Sequence, residues 1–348
     1  MSPDTATRAP LKMADALGGR NPLGPPVWFP RQAGRYQASY RALRDRHSFV
    51  ELCTTPALAA RLALAAVEEF DFDAAIVFSD ILFVLEALGL PLEMDPAPRL
   101  PRPILSLGDL EELLPWEAAL PKLAFQWEAM ELLRRSLPAD RAAFGFSGGP
   151  ATLFRYACGG SHLADGPTVD LGLFTAFAAR LVPLLAALLT RQAEAGADAL
   201  LLFDTSAGLY GPDWRRAHWR PAMAALRAAL AERAPATPVI LYARGLDFTD
   251  RKALSAAGYD GFGLDETQDL PAALGEGSWA IQGNLPPAWL ALPPAEFEER
   301  FDAWAAPIQA LPPRRRRGWI ASLGHGVPRD AREETVRLAV KRLKALAP

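Results

Sequence analysis

The segment Val27-Trp28-Phe29-Pro30-Arg31-Gln32-Ala33-Gly34-Arg35-Tyr36 holds the residues best suited to chemistry. An apolar, strand-like run stops abruptly, and two arginines follow, four residues apart, around a glycine. Arginine presents a planar fork of donors that fits a carboxylate or phosphate bidentately. Six Arg and one Asp lie between Arg20 and Arg46, so this stretch is about five units positive in a chain of formal net charge -3. Local positive charge on an acidic protein points to an anion site rather than to general affinity for polyanions. Any one of these arginines could be a solvated loop charge; it is the clustering that argues for a site.

Such side chains need a frame to converge. Short apolar runs alternate with longer helical patterns along the chain. Strands are predicted at 26–30, 74–78, 143–147, 198–203, 238–242, 260–264, 278–282 and 318–322. Helical patterns fill 56–69, 119–136, 173–195, 213–233, 295–310 and 330–346. Eight strands alternating with helices predict an α/β fold, a single-domain (β/α)8 TIM barrel. The barrel is expected over residues 21–348, after a flexible N-terminal segment at 1–20. A doubly wound open sheet is the rival, but it would want a G-x-G-x-x-G turn, and the sequence has none. The proline-rich stretch 86–118 reads as an insertion after the second predicted strand.

In a barrel of this kind the active site is built at the C-terminal ends of the strands. Those positions hold Arg31 and Arg35, Ser79-Asp80, Ser147-Gly148-Gly149-Pro150 with Tyr156, Phe203-Asp204-Thr205-Ser206, Arg244-Gly245, Asp265, Gln282-Gly283-Asn284 and Gly324-His325-Gly326. Several have structural alternatives. Asp80 and Asp204 could cap helices, and the Gly-rich stretches could be turns. The two glycines around His325 let the backbone turn sharply and bring the imidazole toward a ligand. A mouth with several Arg, one His, a few Asp and one Tyr suits a multiply anionic organic substrate and proton transfer.

Composition narrows the field. With 50% hydrophobic and 22% charged residues the chain is ordinarily globular, and a pI near 5.9 argues against nucleic acid as a partner. Arg314-Arg315-Arg316-Arg317 reads as a solvated loop. The apolar run Leu181–Leu189 is too short to span a membrane. Cys53 and Cys158 are expected to be buried, and a cytoplasmic location is expected. His47, His162, His218 and His325 show no metal-ligand spacing with either cysteine, so no metal is expected.

Seven motifs, in order and spread from Pro26 to about Leu346, together resemble the uroporphyrinogen decarboxylase family. They are Pro26-Val27-Trp28 with Arg31-Gln32-Ala33-Gly34-Arg35-Tyr36; Phe78-Ser79-Asp80-Ile81-Leu82; Gly145 to Leu153 with Tyr156; Phe203-Asp204 with Ala207-Gly208; Gly263-Leu264-Asp265; Gln282-Gly283-Asn284; and Leu323-Gly324-His325-Gly326. The chain departs from the family pattern at Phe29-Pro30, at Gln37-Ala38-Ser39, at Thr205 and at Arg244.

The resemblance implies a (β/α)8 barrel, a homodimer with facing clefts, and no metal or organic cofactor. It implies loss of carbon dioxide from the four acetates of uroporphyrinogen III, giving coproporphyrinogen III. Arg31, Arg35, Arg44 and His325 become candidates for gripping substrate carboxylates. Gln32, Ala33, Gly34 and Phe78 join the binding surface as matching motif positions. Asp80 becomes the candidate for stabilising a protonated pyrrole, with Arg31 and Tyr156 as further catalytic candidates. Tyr156 and Thr205 would hydrogen-bond substrate carboxylates. Two other readings remain: a zinc methyltransferase on the same scaffold, and a tetrapyrrole carrier without turnover.

Overall fold

The computed structural model describes residues 11–21, 23–94, 97–159 and 171–346. Among them, one parallel sheet runs in sequence order through β1 (Ala74–Ile76), β2 (Ala142–Gly148), β3 (Ala199–Phe203), β4 (Val239–Tyr242), β5 (Gly261–Gly263), β6 (Ala280–Leu285) and β7 (Trp319–Leu323). Strands covered on both faces read as unbroken apolar runs. Ala199-Leu200-Leu201-Leu202 and Val239-Ile240-Leu241 are such runs, and all are buried.

The eighth stave is short. Pro26–Trp28 lies between β7 and β1 and bonds to both. The Ala321 N–H donates to the Pro26 carbonyl (2.9 Å), the Trp28 N–H to the Ala321 carbonyl (3.3 Å), and the Asp73 N–H to the Val27 carbonyl (2.8 Å). The sheet thereby closes, as the predicted (β/α)8 barrel requires. The predicted strand at 26–30 shrinks to these few residues because Pro30 has no N–H to give and the chain turns at Arg31.

The floor of the barrel carries a repeated device. Asp73, Asp198 and Asp260 each stand one residue before a strand, and each accepts an N–H from the start of the preceding stave. The bonds run from Val27 (2.8 Å), Ala143 (2.7 Å) and Val239 (2.8 Å). A backbone N–H at a strand start has no ladder partner, and a carboxylate is a strong acceptor for it. Asp73 does most. It is 3% exposed, accepts from Arg141 at 2.8 Å, and lies 3.4 Å from the Lys344 ammonium.

Helices form the outer layer, chiefly Pro56–Phe70, Ala124–Ser136, Leu171–Glu194, Arg220–Arg233, Pro294–Gln309 and Glu333–Lys344. Leu171–Glu194 is longer than the run seen in sequence, and by length and composition it could cross a membrane. Most of it is buried against the barrel and its neighbouring helices, which is the placement of a core helix. Stretch 86–118 is a packed excursion, with Leu88, Leu90, Leu100, Ile104, Leu110 and Leu113 buried.

Two sequence readings change. Residues 1–10 lie outside the described residues, but Lys12–Leu17 is helical, and its Met13 and Ala16 are buried within the segment expected to be flexible. The four-arginine run is not wholly solvated. Arg315 donates to the Leu274 carbonyl (2.7 Å) at the end of a short helix, and Arg316 is buried. Cations settle at helix C-termini because the last carbonyls are unpaired there.

Unequal costs follow for the floor carboxylates. Asp73→Ala strands the Val27 N–H and leaves Arg141 and Lys344 to Asp71, and should lower stability by about 2 kcal/mol. Asp260→Ala removes one bond at a more open position and should cost about 1 kcal/mol. Urea unfolding of the two variants checks both the sizes and their order.

Candidate active site

The short stave leads directly to the mouth. Trp28 is fully buried, and its indole N–H donates to Gln282 Oε1 at 3.0 Å, so the first and sixth motifs meet inside the barrel. Beyond Pro30 the backbone at Arg31 takes φ 58°, the left-handed region that non-glycine residues avoid. That turn leaves the Arg31 side chain exposed at the rim, against the loop that follows β7.

The Gly-His-Gly motif has a steric origin. A Cβ on Gly326 would lie 2.5 Å from Arg31 Cδ, and a Cβ on Gly324 would collide with the Glu266 backbone N. Each glycine admits a close neighbour, and His325 is held between them. The buried Tyr242 hydroxyl donates to the Gly324 carbonyl at 2.7 Å, and its ring meets the imidazole nearly edge-on, 6.1 Å between centroids.

A small apolar cluster seats the rest of the arginine segment. Tyr40, Leu52 and Leu62 are buried together, with Ala33, Leu43 and Phe78 packed against them. This places helices Ala38–Arg44 and Phe49–Thr54 over the end of β1, where Asp80 follows. Asp80 is half-buried. Desolvation raises its pKa above the usual carboxylate range, opposed by the Leu82 N–H (2.9 Å) and the Arg31 charge. No ion pair joins Arg31 to Asp80. A bidentate guanidinium would have pulled the carboxyl down instead.

Mutual electrostatic influence shows which groups converge. Burial raises the Tyr40 phenol, and Arg44, Arg35 and Arg329 pull it back. Burial likewise pushes the Cys53 thiol up, Asp80 adds to the rise and Arg44 opposes it. Arg35, Arg44 and Arg329 thus lie within electrostatic reach of Tyr40, Arg44 and Asp80 within reach of Cys53, and Arg31 within reach of Asp80. Arg44 is also tied locally, donating to the His47 carbonyl at 2.6 Å. Gln32 is fully buried, its carbonyl accepting the Tyr36 hydroxyl at 2.5 Å, so its side chain lies beneath the rim rather than on it. Gly34 lies beside the Tyr36 ring at the start of the same turn.

Tyr156 is buried in the last turn of helix Pro150–Ala157, and Thr205 is half-buried at the start of a 3-10 turn, Thr205–Leu209. Asp204 beside it serves the framework. Its carboxylate accepts the Thr152 N–H (2.6 Å), the Ala151 N–H (3.2 Å) and the Trp219 indole (2.7 Å). It caps the helix after β2 rather than one of its own, and Gly149 lacks a side chain because Asp204 fills that space. Asn284 likewise holds the loop after β5, donating to the Asp265 and Gln268 carbonyls at 2.8 and 2.7 Å.

On the far side of Arg31 lies a cleft of about 340 Å³, lined by Arg31, Arg244, Glu266, His325 and Arg329 and walled by Pro286-Pro287. Glu266 and Arg329 escaped the sequence reading. Their signal was positional: each sits in a loop after a strand, Glu266 next to Asp265 and Arg329 four residues beyond His325. Both cysteines are buried and unpaired, with the Cys158 thiol pushed up to about 12 by burial. His162 lies outside the described residues; among those described, no three His, Cys, Asp or Glu side chains gather as a metal set.

The sequence pattern of uroporphyrinogen decarboxylase (URO-D) matches residues 10–346. The chain belongs to the uroporphyrinogen decarboxylase family. A uroporphyrinogen decarboxylase of Pelobacter propionicus is 36% identical over 350 residues, covering 97% of this chain and 98% of that one. One of Acidiphilium cryptum is 36% identical over 361 residues, covering 99% and 97%. A methyltransferase from Methanosarcina mazei superposes with TM-score 0.68 at 17% identity, over 94% of this chain and 96% of that one, and shares the fold. Within this uroporphyrinogen decarboxylase family, the arginine segment, Asp80 and the Gly-His-Gly loop of this chain come together at one mouth.

Two outcomes follow from the geometry. Gly326→Ala should displace the Arg31 side chain with little loss of stability, whereas Gly324→Ala meets backbone and should destabilise by about 1–3 kcal/mol; thermal unfolding separates them. A carboxyl whose pKa is raised on folding weakens the fold above that pKa, and the penalty fades as pH falls toward its unfolded value near 3.8. Asp80→Asn should therefore stabilise the protein at neutral pH, with the gain shrinking through the acid range. Denaturant midpoints against pH check the sign.

Proposed function

We propose that this protein decarboxylates the four acetate side chains of uroporphyrinogen III, giving coproporphyrinogen III and carbon dioxide. Family membership supports decarboxylation in tetrapyrrole biosynthesis. The observation that carries the finer reading is Asp80, a half-buried carboxylate with no ion pair to the nearby Arg31, below a rim segment rich in arginine. A cluster of arginines suits a substrate with eight carboxylates. A lone carboxylate among them suits a substrate that is anionic at its edge and becomes cationic at its centre.

Each acetate would react in the same way. A proton adds to a pyrrole ring carbon and makes an iminium-like cation. The bond to the carboxylate breaks, its electron pair flows into the ring, and carbon dioxide leaves an exocyclic methylene. That methylene takes a proton and becomes methyl, and the ring carbon releases its proton. Ring protonation supplies the electron sink that an organic cofactor provides in other decarboxylases, so none is invoked.

Asp80 would accept pyrrole N–H donors, and its charge would strengthen those bonds as the ring turns cationic. Its raised pKa also suits it to proton traffic better than a guanidinium, which holds its protons to above about pH 12. Arg31 would set the reacting acetate against the ring, with Arg35, Arg44 and His325 gripping the remaining side arms. Gln32, Ala33, Gly34 and Phe78 would shape the surface beneath them, and Tyr156 and Thr205 would hydrogen-bond carboxylates. The reading extends to a cytoplasmic homodimer with a small-molecule substrate and neither nucleic acid nor membrane as partner.

Anaerobic incubation with uroporphyrinogen III in the dark, with chelator and no added cofactor, tests this. Oxidised products should form a ladder from seven to four carboxylates. Asp80→Asn should lower kcat far more than it alters KM, by about a hundredfold or more, and Arg35→Ala should chiefly raise KM. Substrate binding without any ladder would favour a carrier, and turnover that needs tightly bound zinc would favour a methyltransferase.

A further inference from the structure

Beside Arg31 and His325, the cleft beyond Arg31 is lined by charged residues not yet assigned. At about 340 Å³ it is too small for a tetrapyrrole but ample for one carboxyethyl arm. Three guanidiniums and one carboxylate face it, from Arg31, Arg244, Arg329 and Glu266.

We propose that Arg329 and Arg244 form an outer carboxylate-binding edge of the mouth, and that Glu266 is an internal counter-ion which a substrate carboxylate displaces from Arg244. This rests on the decarboxylase reading for the identity of the substrate, and on the geometry for the edge itself.

Arg329 is exposed, lines the cleft and makes no hydrogen bond or ion pair among the described residues. Its charge is also felt at the buried Tyr40, as are those of Arg35 and Arg44. It therefore lies between the side cleft and the arginine segment. Arg244 is held by Glu266 only loosely. Their closest N···O separation is 3.7 Å, with side chains 51% and 31% exposed. A charge-assisted hydrogen bond would be about 2.7–2.9 Å. Bonds of that length exist elsewhere in the protein, as between Arg337 and Glu333 at 2.9 Å. An exposed, over-long pair contributes little and is screened, so an incoming carboxylate can replace Glu266 at low cost. The backbone of Arg244 is pinned, since its carbonyl lies where a Gly208 side chain would go. Only the guanidinium need move. Glu266 is the one carboxylate that lines the cleft among the described residues, while the Tyr242 hydroxyl and the Asp265 carboxylate also interact with Arg244 from behind.

The prediction has two opposite signs. Arg329→Gln should raise KM for uroporphyrinogen III about three- to fivefold, the loss of one exposed ionic contact, with the change falling on KM rather than kcat. Arg329→Lys should recover part of it. Glu266→Gln, which keeps shape and removes charge, should lower KM about threefold by freeing Arg244. Fluorescence titration with uroporphyrin, the oxidised and unreactive macrocycle, should show the same order of affinities. A structural role for Glu266 would raise KM instead. If wild-type protein turns over substrate but Arg329→Gln leaves KM and porphyrin affinity unchanged, or Glu266→Gln weakens both, the outer edge is overturned and the decarboxylase reading stands. If wild-type protein gives no product while Arg329→Gln still weakens porphyrin binding, the edge stands and the decarboxylase reading falls.

Discussion

The barrel must close through three residues. Pro26–Trp28 is the whole of the eighth stave, bonded to β7 on one side and to the start of β1 on the other. So short a strand is held less by its ladder than by its ends. Asp73 takes the Val27 N–H at the floor, and the Trp28 indole reaches across to Gln282 within the barrel. The layout of the mouth downstream depends on this seam. Arg31 is three residues beyond Trp28, and the Pro30 carbonyl binds the Val327 N–H in the loop carrying His325. Closing the barrel and bringing the first arginine to the last loop are one event.

At the mouth, the balance of charge explains the layout. Asp80 has an N–H donor and a nearby cation, yet its net shift is upward, so desolvation outweighs both. The arginine that could have neutralised it stays apart. Elsewhere in the protein, guanidiniums facing buried carboxylates are paired tightly. Arg215 and Arg220 both bond Asp250, at 2.8 Å each. A protein able to build that buried network leaves Arg31 and Asp80 unjoined.

Much of this was legible in the sequence because it depends on short-range pattern. Apolar runs marked seven strands and the seam, and the residues just after each run marked the mouth. Roles set by distant contacts were not legible. Asp204 follows β3 and looks like a cap for its own turn, but it binds N–H groups some fifty residues earlier, across a gap left open by Gly149. The arginine run at 314–317 looks solvated until carbonyls at 271–274 come beside it. Glu266 and Arg329 gain meaning only when two loops, sixty residues apart in sequence, line one cleft.

The backbone of Arg31 has a consequence of another kind. A side chain in the left-handed region costs about 1–2 kcal/mol relative to an ordinary conformation, and glycine avoids that cost. The arginine at the rim of the mouth is therefore one that folding alone would replace. Variants selected for heat resistance without regard to turnover would drift toward glycine at this position and discard the charge with the strain. Durability and chemistry compete here at a single dihedral angle.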